Sequence, residues 1–270
     1  MRLVVRTASG VALLAVVLLA LYLGPAALAT LVAVVMGVGV FEYWQLWQGK
    51  PGRPSLVVLV PLAAFFLFRF AYSELPVAVL GLLAGSLVGL TLTIVRSSSE
   101  KPLASWALAF GGSVWIGYLS GCFLLLYAAA GSRDRGMALV LLTVGISVLS
   151  DTAAYLVGSA IGRHPFFPRI SPKKTWEGAL AGWVVPTLVA GTLLPHVLPK
   201  LGLPVAFAIA AAASASAIAG DLAESQLKRE VGVKDSGRLI PGHGGVLDRV
   251  DSLLFVGAVV YSLLGVAHAF

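Results

Sequence analysis

Two pairs of carboxylates stand out near the C-terminus. In AIAGDLAESQLKRE, Asp221 and Glu224 are three residues apart and share a face if the stretch is helical, with Ser225 and Lys228 one turn further on. In VLDRVDSLLF, Asp248 and Asp251 repeat the spacing. Two like charges about 4 Å apart repel by about 4 kcal/mol at an effective dielectric of 20, so converging carboxylates call for cations. An all-oxygen donor set without paired His or Cys suits Mg²⁺ better than Zn²⁺. The competing reading is a salt-bridge network at helix ends, Asp248 with Arg249 and Glu224 with Lys228. Two facing pairs joined by a glycine-rich hairpin favour the metal.

That hairpin, KDSGRLIPGHGG, carries Gly237, Gly242, Gly244 and Gly245. Glycines allow positive φ and close backbone approach, and successive amides in such turns form anion-binding nests. Lys234 and Arg238 add positive charge, Asp235 a further carboxylate, and the combination points to a polyphosphate. His243 suits a phosphate contact better than general-base work, because a phosphate nucleophile is already ionised near neutral pH. A second polar stretch, GRHPFFPRISPKKTWEG at 162–178, brings Arg163, Arg169, Lys173 and Lys174. Ser171-Pro172 and Thr175 favour a set turn before the next helix, and Glu177 suits a helix N-terminus. Upstream, Asp151 and Tyr155 at i and i+4 are expected to point one polar face inward. In FEYWQLWQ at 41–48, Trp44 and Trp47 are expected to anchor at a membrane interface; Glu42 is the exception there.

The elements that must position these groups follow from composition. The 270 residues are 59% hydrophobic and 11% charged, with mean hydropathy +0.94. A soluble domain carries about 25% charged residues, so lipid is the expected solvent: an all-α polytopic membrane protein. Nine spans are expected, at 4–23, 26–47, 55–72, 76–95, 104–130, 137–160, 177–198, 203–226 and 247–268. The first is taken as retained rather than a cleaved leader. With the N-terminus cytoplasmic, fifteen of the nineteen Lys and Arg fall on inner segments and three on outer ones, Arg69 lying at an outer helix end. The positive-inside rule then puts the C-terminus on the opposite side. The basic balance reflects orientation, not nucleic-acid binding. Eight of the twelve acidic residues lie between Asp151 and Asp251. Residues 1–136 therefore read as scaffold helices, and 137–270 as the catalytic region with cytoplasmic loops 161–176 and 229–246. The single cysteine, Cys122, excludes an internal disulfide.

The run from Ser225 through Lys228-Arg229, Lys234-Asp235 and Gly237 to Ile240-Pro241-Gly242-His243-Gly244-Gly245 and Asp248-Arg249-Val250-Asp251 resembles the signature of CDP-diacylglycerol synthases, the phosphatidate cytidylyltransferases. DTAAYLVG at 151–158 and RISPKKTWEG at 169–178 resemble two further motifs of that family. Ser159-Ala160 departs from it, since family members often carry a basic residue there. The resemblance implies that CTP and phosphatidic acid give CDP-diacylglycerol and pyrophosphate with Mg²⁺, a second cation being left open. It also implies a homodimer in a bacterial inner membrane with its site facing the cytoplasm. Asp221 and Asp248 match the family's metal positions. Glu224 and Asp251 are placed beside them as supporting ligands by spacing, and Asp235 as a ligand or orienter. Lys173, Lys174, Lys228, Arg229 and Lys234 are candidates for neutralising phosphates. Ser171, Thr175, Ser225, Arg238, Gly244, Gly245, Arg249, Asp151 and Tyr155 are candidates for binding substrate. A CTP-dependent polyprenol or phytol kinase, or, in a different class, an ion-coupled transporter, are the alternatives.

Overall fold

Long apolar runs without period-two alternation leave the backbone one way to satisfy its polar groups in lipid, the helix. The computed structural model describes residues 2–68, 75–96, 100–240, 242 and 244–270. Among these, the regular structure is entirely helical, in nine helices. They are α1 (Arg2–Leu23), α2 (Pro25–Leu46), α3 (Leu56–Phe68), α4 (Leu75–Arg96), α5 (Pro102–Ala129), α6 (Arg133–Ile161), α7 (Trp176–Val197), α8 (Leu203–Glu230) and α9 (Leu247–Val266). α5 is continuous but winds as a π-helix over Ser113–Tyr118. Six helices, α2 and α5 to α9, are long and apolar enough to cross a membrane, while the apolar helices Leu56–Phe68 and Val79–Val95 are shorter. Arg69, expected at an outer helix end, and the candidate His243 lie outside the described residues.

The chain divides into two units: Met1–Leu124 with Val231–Arg249, and Leu125–Glu230 with Val250–Phe270. The hairpin after α8 thus groups with the N-terminal helices rather than with the helices that flank it in sequence.

In the first unit, α3 and α5 approach closely at glycines. A Cβ on Gly117 would clash with the Ala63 backbone, and one on Gly121 would sit 2.9 Å from the Phe66 carbonyl oxygen. Small residues four apart let helices touch without a hydrophobic drive from water. Tyr43 of α2 is buried, edge-on to Trp115 and donating to the Leu108 carbonyl at 2.9 Å. Trp44 lies under the Arg53 guanidinium, 3.5 Å from ring centroid to Cζ. Part of this aromatic set therefore packs within the unit, which the reading of it as interface anchors did not foresee.

In the second unit, α7 presents Gly178 and Gly182 to α6. A Cβ on either would stand 2.7 Å from the Ala154 oxygen and 2.8 Å from the Ser150 oxygen respectively. Gly220 of α8 fits against the α9 backbone at Asp251 and Ser252 in the same way, with 2.9 Å to the Asp251 oxygen. Ser147 and Ser252 share a buried hydrogen bond of 2.8 Å. The core beneath is aliphatic, with Leu139, Ile146, Leu194, Ala213, Val256 and Leu264 among its buried members.

Candidate active site

The second unit holds a cavity of about 450 Å³ lined by the polar face of α6, the 162–175 segment and α8. Asp151, Tyr155 and Ser159 come from α6, Lys173, Lys174 and Thr175 from the segment, and Asp221 from α8. Tyr155 is 74% exposed and Asp151 is exposed too, so this face of α6 opens on the cavity rather than into the packed interior. The segment has a determinate shape. Phe166 N donates to the Lys174 oxygen at 2.8 Å, and Trp176 N to the His164 oxygen at 2.9 Å. Thr175 caps α7, its Oγ1 accepting from Gly178 N at 3.2 Å. His164 Nδ1 lies 2.6 Å from Glu177 Oε1 in the first turn of that helix. Arg229 Nε reaches from α8 to the Ile170 oxygen at 3.2 Å. Ser171 sits in the turn itself, its carbonyl accepting from Lys174 N at 3.2 Å.

Two ion pairs order the α8 carboxylates. Lys174 Nζ pairs with Asp221 Oδ2, and Lys228 Nζ with Glu224 Oε2. Ser225 Oγ donates to Asp221 Oδ1 at 3.4 Å. The one-turn spacings read from the sequence, Asp221 to Ser225 and Glu224 to Lys228, are both realised. Glu224 is fully buried and Asp221 partly exposed at the cavity. Asp251 is buried within electrostatic range of Asp221, Asp151 and Lys228.

In the first unit the hairpin is built around two buried carboxylates. Asp248 Oδ2 accepts from Ser236 N at 2.9 Å and from Gly245 N at 2.8 Å. Glu42 of α2, 4% exposed, accepts from Val246 N at 3.0 Å through Oε1. Its Oε2 accepts from Leu247 N at 2.8 Å and Ser236 Oγ at 3.3 Å. Ile240 and Gly244 exchange backbone hydrogen bonds of 2.9 and 3.2 Å. Gly244 has φ +88°, and a Cβ there would lie 2.7 Å from Asp248 Oδ2. A Cβ on Gly237 would collide with Glu42 Oε1, and one on Gly245 with Ser236 Oγ. Lys234, Asp235, Arg238 and Arg249 are exposed around this knot.

The candidates from the sequence thus fall into two sets. Asp151, Tyr155, Lys173, Lys174, Thr175 and Asp221 meet at one cavity, with Ser225, Glu224, Lys228 and Asp251 packed beside Asp221. Asp248, Gly244 and Gly245 meet in the hairpin. Ser171 and Arg229 shape the segment and are not among the cavity's lining residues. Sequence reasoning assigned Glu42 no partner; the signal was a lone carboxylate in an otherwise apolar and aromatic run.

Among the described residues, no three His, Cys, Asp or Glu side chains gather tightly enough to form a ready-made metal cage. The donor chemistry suits Mg²⁺ nonetheless: Asp221 offers a partly exposed carboxylate at the cavity, and buried Asp251 lies within electrostatic range of it and of Asp151. Mg²⁺ takes one or two carboxylates and fills its octahedron with water and substrate phosphate.

The cytidylyltransferase family model matches residues 4–267. A phosphatidate cytidylyltransferase of Brucella suis is 32% identical over 254 residues, covering 87% of this chain and 92% of that protein. A Staphylococcus saprophyticus phosphatidate cytidylyltransferase is 39% identical over 149 residues, 55% of this chain and 56% of that one. The chloroplastic phosphatidate cytidylyltransferase 5 of Arabidopsis thaliana is 46% identical over 129 residues, 48% of this chain, and the match spans only 32% of the plant protein. With a match over nearly its whole length, the chain belongs to the cytidylyltransferase family.

Proposed function

We propose that the protein transfers the cytidylyl group of CTP to phosphatidate, giving CDP-diacylglycerol and pyrophosphate in phospholipid synthesis. The observation that carries this is the similarity, over 87% of this chain, to a protein named phosphatidate cytidylyltransferase. The cavity of the second unit supports it chemically, since it sets two lysines and a threonine against carboxylates.

In the proposed reaction a phosphate oxygen of the lipid forms a bond to the α-phosphorus of CTP. The bond from that phosphorus to its β-bridging oxygen breaks, and pyrophosphate leaves with the electron pair. Such a transfer needs alignment and charge neutralisation more than covalent help. Lys173 and Lys174 supply mobile positive charge to the phosphates, and Lys174 shuttles between Asp221 and a phosphate as substrate enters. Thr175, held as a helix cap, offers its hydroxyl and the N-terminal end of α7 to an anion. Asp221 and Asp248 are assigned to Mg²⁺ by the motif positions they occupy, with Asp251 and Glu224 supporting. Mg²⁺ held there would neutralise triphosphate charge and stabilise the departing pyrophosphate. Tyr155, exposed at the cavity rim, gives an amphipathic edge over which a lipid headgroup can pass. The remaining basic candidates, Lys228, Arg229, Lys234, Arg238 and Arg249, strengthen the positive field around the phosphates. The same reading carries nine spans, a cytoplasmic N-terminus, a site on the cytoplasmic side of a bacterial inner membrane, and a homodimer.

The test is product identity. Purified protein in mixed micelles with CTP, phosphatidate and Mg²⁺ is expected to yield CDP-diacylglycerol and pyrophosphate, with the yield abolished by chelator. A lipid kinase would instead phosphorylate a polyprenol or phytol and release CDP.

A further inference from the structure

We infer that Glu42, on a helix of the N-terminal half, positions the Asp248 hairpin and is required for turnover without touching substrate; this rests on the assignment of Asp248 proposed above. The two carboxylates hold the same two arms of the hairpin. Asp248 takes Ser236 N and Gly245 N, and Glu42 takes Ser236 Oγ with the next two amides, Val246 N and Leu247 N. Leu247 opens α9, so Glu42 caps from outside the chain segment the helix whose second residue is Asp248. The first amides of a helix have no partner within it and carry partial positive charge, which a carboxylate satisfies better than a neutral group.

The surroundings are shaped for this carboxylate. Gly237 leaves room for Oε1, and Gly245 leaves room for the Ser236 hydroxyl that Oε2 accepts from. Each oxygen of Glu42 takes a separate amide. Glutamine has one acceptor oxygen, so its NH₂ would face Val246 N or Leu247 N, donor against donor. Aspartate keeps both acceptors but falls one methylene short. The geometry therefore requires the charge and the length together, which a space-filling core residue would not.

Amide exchange on the full-length protein in detergent, without CTP or metal, tests this beside kinetics. In Glu42→Gln, exchange at Ser236 and Gly244–Leu247 is expected to quicken at least about tenfold while α5 stays as protected as before. kcat is expected to fall about 10–100-fold, the range for lost support of a metal-binding residue. Half-saturating Mg²⁺ is expected to rise, with the phosphatidate KM unchanged. Glu42→Asp is expected to lie between. A merely lower folded fraction would reduce the rate and leave the Mg²⁺ dependence alone. Glu42→Gln with wild-type exchange across 234–249, or with quickened exchange and an unmoved Mg²⁺ dependence, overturns the inference. If Glu42→Gln does not fold, Ser236→Ala and Gly237→Ala decide: wild-type exchange and Mg²⁺ dependence in both overturn it. If the wild type makes no CDP-lipid, the proposed function falls on its own, and the exchange result still judges Glu42.

Discussion

The cavity of the second unit and the hairpin of the first use similar residues in opposite ways. At the cavity, carboxylates meet lysines: Asp221 with Lys174, Glu224 with Lys228. Asp221 and Lys174 both line the cavity, the Lys174 ammonium shielded against the Asp221 carboxylate, so the pair sets opposite charges side by side at its wall. In the hairpin, carboxylates meet backbone amides. Glu42 and Asp248 are buried and accept five hydrogen bonds from the chain itself. The glycines divide likewise. Gly178 and Gly182 let helices touch, whereas Gly237, Gly244 and Gly245 make room for carboxylates and hydroxyls. One region sets charge against charge beside a cavity, the other buries charge against backbone.

Substitutions can break that contrast. The largest effect is expected from Asp221→Ala and Asp248→Ala. Each should remove turnover by at least about a thousandfold, about 4 kcal/mol of lost transition-state charge stabilisation. Only Asp248→Ala should also quicken exchange at Ser236 and Gly245, because only its carboxylate holds backbone. Equal exchange in the two variants would erase the contrast. Next, Gly244→Val forces a β-branched residue to φ +88° against Asp248 Oδ2. It should destabilise the hairpin by about 1–3 kcal/mol and cost a corresponding share of activity, read as increased proteolysis within 231–246. Lys174→Ala should raise the KM for CTP about tenfold while the folded protein keeps its thermal midpoint, since a partly exposed pair adds about 0–1 kcal/mol of stability. Lys174→Arg should restore part of the affinity. The smallest effect is expected for Thr175→Ala, a lost helix cap costing about 1 kcal/mol. It should appear as a modest fall in thermal midpoint with kcat changed less than about fivefold.

Much of this was legible beforehand because its signals are local. Hydropathy and turn residues marked the helices to within a few positions: α7, expected at 177–198, runs Trp176–Val197, and α8, expected at 203–226, extends to Glu230. The one-turn pairs on α8 follow from helical periodicity alone. The grouping of the hairpin with N-terminal helices was not legible, because it depends on Glu42 meeting amides about two hundred residues away. Backbone amides leave no mark in a sequence. Asp151 and Tyr155 share one polar face at the cavity, as their spacing predicts, but what that face looks onto was not legible, for a related reason. A polar residue in an apolar helix is expected to seek the interior, and here the cavity it faces is created by a loop folding back.

In the proposed reaction the α-phosphorus of CTP moves to phosphatidate. The direct measurement gives the purified protein CTP labelled in its α- or its γ-phosphate, together with phosphatidate and Mg²⁺, and counts label in the lipid fraction. Label entering lipid from the α-position only, with γ-label leaving as pyrophosphate, is the predicted result. Label entering lipid from the γ-position, or from neither, would contradict it.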